Sequence, residues 1–364
     1  MIVSITLAHI LLALCTAMVT TIVSTPIALI FIKKFGLFDD PKQHKHPAIV
    51  HKVPIPRGGG IPMYCGVVVA SLIFLPLTKI IIALLSASGI ALVIGVLDDK
   101  LDVSPYLRFF VNLVVAGIVV GSGVGIPYIT NPLGGIIQLN TLTTTFTLFG
   151  HHSIIVFSDI IALLWIVWVM NMLNWSKGVD GQMPGIVAIS AIVIGILSLR
   201  FPTTDVNSIT AATLEFITAG TALGFLFFNF YPFRIIFPGY GATAIYLLLS
   251  AVSIFSGAKL ATAILVMGVP MVDGIFTIMR RILSGHSPFW HDKKHLHHIL
   301  LRLGFSQRTI ALFYWCISAI LGAISLTLTS RGKLFAIIML IVVVGGILLT
   351  LHLTIRYIDE KDHI

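Results

Sequence analysis

The sequence predicts an all-α, polytopic integral membrane bundle, and three observations carry that prediction. Mean hydropathy is +1.04, with 57% hydrophobic and only 10% charged residues, a composition outside the range of soluble domains. Apolar runs recur at the length of a helical membrane span, about 20 residues. Charged residues gather between those runs, and the net charge of +9 is unevenly shared by the two sets of loops.

Taken in order, the runs are 5–32, 61–78, 80–97, 107–126, 154–172, 184–199, 211–229, 242–256, 259–279, 309–329 and 334–354, about eleven spans. The run 242–256 is short, and 61–78 abuts 80–97 closely. The first run is too long for a cleaved signal peptide and is kept as a span. With eleven spans the termini lie on opposite sides. Of the 23 Lys and Arg residues, all but Lys79, Arg200, Lys259, Arg331 and Lys333 fall on one face. Lys/Arg excess marks cytoplasmic loops, so the N-terminus is expected outside and the C-terminus in the cytoplasm. The basic charge is read as this bias plus anionic lipid and substrate rather than nucleic acid. The chain reads as one membrane-embedded domain, 1–364.

Cys15, Cys65 and Cys316 fall inside apolar runs. They show neither metal spacing nor a disulfide framework, and are read as small core residues. The long outer connection 127–153 contains an alternating stretch, 136–149, that reads as a short strand pair or an interfacial loop. Its His151-His152 pair is read as surface rather than ligand.

The most informative segment is Asp98-Asp99-Lys100-Leu101-Asp102, directly behind the run 80–97. The chain has only 14 acidic residues, so three within this segment make a concentrated anionic site at a membrane boundary. Carboxylates there need water, a cation or a partner. On a helix Asp98 and Asp102 share a face with Asp99 alongside, which suits a hard, oxygen-bound cation such as Mg2+, with Mn2+ as its substitute. The competing reading is a polar helix end solvated by headgroups.

Four further polar segments fall on the same side of the membrane as this cluster. His51-Lys52 leads through Arg57 to Gly58-Gly59-Gly60, where backbone N–H groups could face an anion or a hinge could open a helix. Asn171 and Asn174 are spaced to share a helix end, as ligand donors or as caps, and Lys177 and Asp180 follow. The segment from Asn229 to Thr243 is rich in Pro, Gly and aromatic residues. The last is His291-Asp292-Lys293-Lys294-His295-Leu296-His297-His298, whose imidazoles and ammoniums would grip a diphosphate. A zinc site is the weaker reading, because no Cys is near and no HExxH occurs. Five segments on one side point to a shared site.

These residues resemble the polyprenyl-phosphate N-acetylhexosamine-1-phosphate transferases, sisters of the phospho-N-acetylmuramoyl-pentapeptide transferases. Asp98-Asp99-Lys100-Leu101-Asp102 is similar to the family's DDxxD signature. Asn171, Asn174 and Gly178-Val179-Asp180-Gly181 resemble NxxNxxDGxDG. Asn229, Pro232, Phe237, Gly239 and Gly241 resemble NxxP…FxGDxGS. Pro270, Asp273, Arg280-Arg281 and His295-Leu296-His297-His298 resemble PxxD…RR…HxHH. The resemblance runs from about Lys33 to Gly304 with its motifs in family order, and its last loop matches the N-acetylglucosamine branch better than the muramoyl-pentapeptide branch.

That resemblance implies transfer of N-acetylhexosamine 1-phosphate from a UDP-sugar to polyprenyl phosphate, releasing UMP, on the cytoplasmic face of the cell membrane. It implies Asp98 and Asp99 as catalytic residues, and Asp98, Asp99 and Asp273 as holders of Mg2+. His51, Lys52, Asn171, Asn174, Lys177, Asp180, His295, His297 and His298 would bind substrate. The partners are the UDP-N-acetylhexosamine, the polyprenyl phosphate and membrane lipid, with a homodimer as one assembly the reading allows.

Two departures stand out. Lys177 occupies the position of the family's first Asp in NxxNxxDG, and Tyr240 that of the Asp in GDxGS. Together they shift the local charge by +3 where Mg2+ and a diphosphate are expected, and an ammonium repels a metal ion. One alternative is therefore a relative that binds UDP-sugar or polyprenyl phosphate without turnover. A membrane prenyltransferase would need a second Asp-rich motif, and a transporter would need repeated broken helices at the midplane.

Overall fold

The computed structural model describes residues 2–39, 54–131, 134–147, 151–200, 206–230, 235–255, 260–290 and 292–362. Its helices are α1 (Ile2–Lys34), α2 (Gly60–Phe74), α3 (Lys79–Leu101), α4 (Pro105–Gly121), α5 (Val156–Trp175), α6 (Gln182–Ser198) and α7 (Val206–Asn229). They continue as α8 (Thr243–Phe255), α9 (Leu260–Val266), α10 (Gly268–Leu283), α11 (Leu296–Arg302), α12 (Gln307–Thr327) and α13 (Ser330–Asp362). Among the described residues, six helices are long and apolar enough to cross a membrane, or seven if α9 and α10 form one bent span. α2, α4, α6 and the segment Tyr240–Phe255 are apolar but shorter.

Burial separates inner from outer helices. α8 is buried along nearly its whole length, and α6 and α7 pack against each other beside it. α13 is the opposite case, with little of its apolar length covered. In lipid an outward face is as apolar as an inward one, which corrects the reading of the cysteines. Cys15 and Cys316 are exposed and Cys65 is half-buried; none is a core residue.

Local sequence sets the breaks. α3 starts on Thr78, whose hydroxyl accepts from the Ile81 N–H, and ends where Asp102 enters the left-handed region at φ 48°. Pro105 then opens α4 at a position where a missing N–H costs nothing. α9 and α10 meet at 83°, where Gly268 and Pro270 interrupt an apolar run. The connection between α4 and α5 forms two antiparallel hairpins. Tyr128–Thr130 (β3) pairs with Ile136–Gln138 (β4), and Thr143–Thr147 (β5) with His151–Ile155 (β6). Phe38–Asp39 (β1) and Ile55–Pro56 (β2) form a third small pair.

Candidate active site

One cavity of about 1020 Å3 gathers residues from all five polar segments. Arg57, Asp98, Asn171, Asn174, Lys177, Asp180, Tyr240, His295, His297 and His298 all line it. His51, Lys52 and His291 lie outside the described residues, as does Pro232 of the resembling motif.

The floor of the cavity is the α3–α4 corner. Asp98 Oδ1 accepts from the Val103 N–H at 2.8 Å and from Arg108 Nε at 2.7 Å. Arg108 also donates to Asp102 Oδ1 at 2.8 Å and to the Tyr240 hydroxyl at 2.6 Å. Asp102, expected on the helical face of Asp98, instead sits past the helix end, and Arg108 is what joins the two. Arg108 is the residue that sequence reasoning missed: a lone guanidinium early in an apolar run was its only signal.

Asp99 does not line the cavity. Both its oxygens accept the Tyr240 N–H, at 2.9 and 3.1 Å, so it braces the turn Gly239–Ala242. Gly239 is required there: it holds φ 67°, and a Cβ would stand 2.1 Å from Asp99 Oδ2. Behind that turn Gly60 packs against Gly241. The Gly59 and Gly60 N–H groups donate to the carbonyls of Phe237 and Pro238. The Gly triplet is therefore a helix start docked on this loop, not an anion nest.

Lys177 and Tyr240, the two departures, face each other. Lys177 Nζ lies 3.5 Å from the Tyr240 ring centroid, and Arg108 Cζ lies 4.2 Å from it. Among the described residues the Lys177 ammonium is shielded from solvent with no hydrogen-bond acceptor, and Asp98 Oδ2 is likewise unpaired. Burial pushes the Lys177 pKa down, and the Asp99 charge opposes that push.

The third carboxylate expected at a metal is elsewhere. Asp273 accepts from the Leu296 N–H at 3.0 Å, and its Oδ2 lies 2.9 Å from His295 Nδ1, so it holds the His segment in place. Among the described residues no three His, Cys, Asp or Glu side chains form a group able to hold a metal. Mg2+ commonly needs just one or two carboxylates plus phosphates, so charge decides. Asp98 and Asp102 bind Arg108, and Lys177 and Arg57 act on Asp99. Three carboxylates are thus matched by three cations, and these residues do not fit a resident Mg2+.

Opposite this floor, His295 and His297 stack with ring centroids 5.8 Å apart, and His298 lies 4.2 Å from His297. Burial holds His297 well below the ordinary histidine range and, with the nearby His295 and Lys293 charges, lowers His298 to about 4. His297 and His298 are therefore neutral at neutral pH, hydrogen-bond partners rather than the cations expected. Lys293 and Lys294 are exposed and do not line the cavity. Gly178 lets this group approach α5, since a Cβ there would meet His297 Nε2 at 1.9 Å. The loop before it is held by Asp292, which accepts from Arg280 at 2.9 Å and Arg281 at 3.1 Å.

Of the two asparagines, Asn171 donates to the Val167 carbonyl at 2.8 Å, while Asn174 Oδ1 is buried without a partner among the described residues. Asn229 joins two loops, accepting from the Gly181 N–H at 2.9 Å and donating to the Ile236 carbonyl at 2.8 Å.

Comparison with known proteins gives the family. The family model for glycosyl transferase family 4 matches residues 81–257. A probable undecaprenyl-phosphate N-acetylglucosaminyl 1-phosphate transferase of Bacillus subtilis is 30% identical over 92% of this chain and 90% of its own length. The chain belongs to the polyprenyl-phosphate N-acetylglucosamine-1-phosphate transferase family. A decaprenyl-phosphate N-acetylglucosaminephosphotransferase of Mycobacterium tuberculosis is 30% identical over 97% of this chain and 91% of its own. An undecaprenyl-phosphate alpha-N-acetylglucosaminyl 1-phosphate transferase of Escherichia coli is 27% identical over 86% and 83%. The matched family model covers the α3–α4 corner, Lys177 and Tyr240 and ends before the His segment.

Proposed function

We propose that this chain transfers N-acetylglucosamine 1-phosphate, or a close N-acetylhexosamine relative, from a UDP-sugar to a polyprenyl phosphate. A lipid phosphate oxygen attacks the sugar-linked phosphorus, the bond to the uridylate oxygen breaks, and UMP leaves. The convergence of five sequence-distant polar segments on one cavity, in a chain of this family, carries the reading.

Phosphoryl transfer rests on positioning and charge neutralisation, and the residues divide accordingly. Lys177 meets the donor diphosphate, and Asn174 and Asp180 orient the nucleotide. His295, His297 and His298 donate hydrogen bonds to phosphate oxygens. Asp98 faces the lipid phosphate with its unpaired oxygen and keeps it ionised, while Asp99 braces the turn that carries Tyr240.

The bundle is read as eleven spans, counting the shorter apolar helices and the bent α9–α10 pair, with the N-terminus outside. All cavity segments share the Lys/Arg-rich side, which supports a cytoplasmic site.

Membranes containing the chain, supplied with sugar-labelled UDP-N-acetylglucosamine and undecaprenyl phosphate, are expected to form labelled lipid and UMP in equal amounts. UDP-sugar binding with no labelled lipid would overturn turnover. It would leave the second reading, a binding protein without catalysis, which Lys177 and Tyr240 at two family carboxylate positions favour.

A further inference from the structure

We propose that Lys177 is a built-in substitute for a divalent cation, so that this site grips a diphosphate without Mg2+. The inference rests on the donor being a nucleotide-sugar and deepens that reading. It starts from charge. A carboxylate cluster that held a metal would need to stay net anionic, but Asp98 and Asp102 are bound by Arg108, and Asp99 turns both oxygens to the Tyr240 N–H outside the cavity lining.

A diphosphate entering there brings negative charge of its own and needs a cation beside it. Of the basic residues that line the cavity, Lys33, Arg57, Arg108, Lys177 and Arg281, Lys177 fits that need best, because its ammonium is buried with no acceptor among the described residues. Its neighbour is a ring face at 3.5 Å, which holds a cation in place while leaving its N–H groups unspent. The Tyr240 ring in turn is fixed from behind, its hydroxyl accepting from Arg108 and its N–H bound to Asp99. The two departures from the family pattern are thus one device: a cation and the platform that aims it. An ammonium supplies a single charge with three donors, which suits phosphate oxygens.

The test is equilibrium binding to the purified full chain in detergent, with UDP-N-acetylglucosamine and inorganic pyrophosphate as separate probes, each in excess Mg2+ and in excess EDTA. Pyrophosphate reads the grip alone, and the nucleotide-sugar reads the donor site. Both affinities are expected to stay within about threefold between the two conditions. Lys177→Ala should weaken both probes by about tenfold to a hundredfold, the scale of a charge-assisted hydrogen bond, while Lys177→Arg retains most of the affinity and controls for folding. Mn2+ titration should show no tight site in the unmodified chain. EDTA-sensitive binding restored by Mg2+, or Lys177→Ala binding as the unmodified chain does, would overturn the proposal. So would no binding of either probe. Pyrophosphate bound in a Lys177-dependent, EDTA-resistant way with no UDP-N-acetylglucosamine binding would uphold the lysine grip and remove the donor reading.

Discussion

At Tyr240 one phenol ring meets two cations, Lys177 at 3.5 Å and Arg108 at 4.2 Å from its centroid. Each face contact is worth about 0.5–2 kcal/mol, and neither would exist with the family's carboxylate there. The pair is coupled, so reversion must change both residues. Lys177→Asp with Tyr240→Asp is expected to convert the site into a metal-dependent one. UMP release by the double variant should then require Mg2+ and stop in EDTA, whereas release by the unmodified chain should continue in EDTA. A silent unmodified chain that gains Mg2+-dependent release on double reversion would instead mean that the substitutions had removed catalysis. Measuring UMP with and without EDTA in both proteins separates the two outcomes.

At the scale of elements, the segment between α10 and α11 shows how a loop is fixed beside a site. Asp292 is buried, and burial alone would raise its pKa. The Arg281 hydrogen bond and charge, with Arg280, overcome this and hold it at about 2. A depressed carboxylate pKa contributes stability above the unfolded value of ~3.9, and that contribution is lost as pH falls through the folded value. The loop should therefore be tight at neutral pH and loosen between about pH 4 and pH 2. Asp292→Asn leaves two guanidinium groups without their carboxylate and should cost about 3 kcal/mol or more. Hydrogen exchange across 284–296 should show faster opening in the variant at neutral pH and a smaller acid dependence than in the unmodified chain. Unchanged exchange there would mean that packing of Trp290 and Phe289, rather than the ion pair, holds the loop.

At the scale of the whole molecule, the cavity requires the segments at 57, 98, 177, 240 and 297 to share one side of the membrane. Single cysteines placed beside them, with Cys15, Cys65 and Cys316 replaced, are expected to resist an impermeant thiol reagent in intact cells and to react after permeabilisation. A cysteine in the hairpins of 128–155 should react from outside. Labelling of any cavity segment in intact cells would sink the proposed orientation.

Hydropathy alone located the apolar helices, and it did so because lipid demands long apolar runs wherever backbone crosses it. The sequence likewise placed Asp98, Asn174, Lys177, Asp180 and the three histidines at a common site, because polar residues beside membrane spans are costly unless they serve one another or a ligand. It could not say which apolar faces look inward, so the cysteines were misplaced: lipid and core are alike in composition. It could not pair Arg108 with Asp98, or Asp273 with His295, because those contacts join residues from different elements and depend on how the helices pack. Nor could it turn Asp99 away from the cavity, which follows from a backbone N–H at Tyr240 that only the folded turn presents. The chemistry at hand was written in residue types; tertiary structure decided which charges meet, and that the Lys177 ammonium is buried with no acceptor among the described residues.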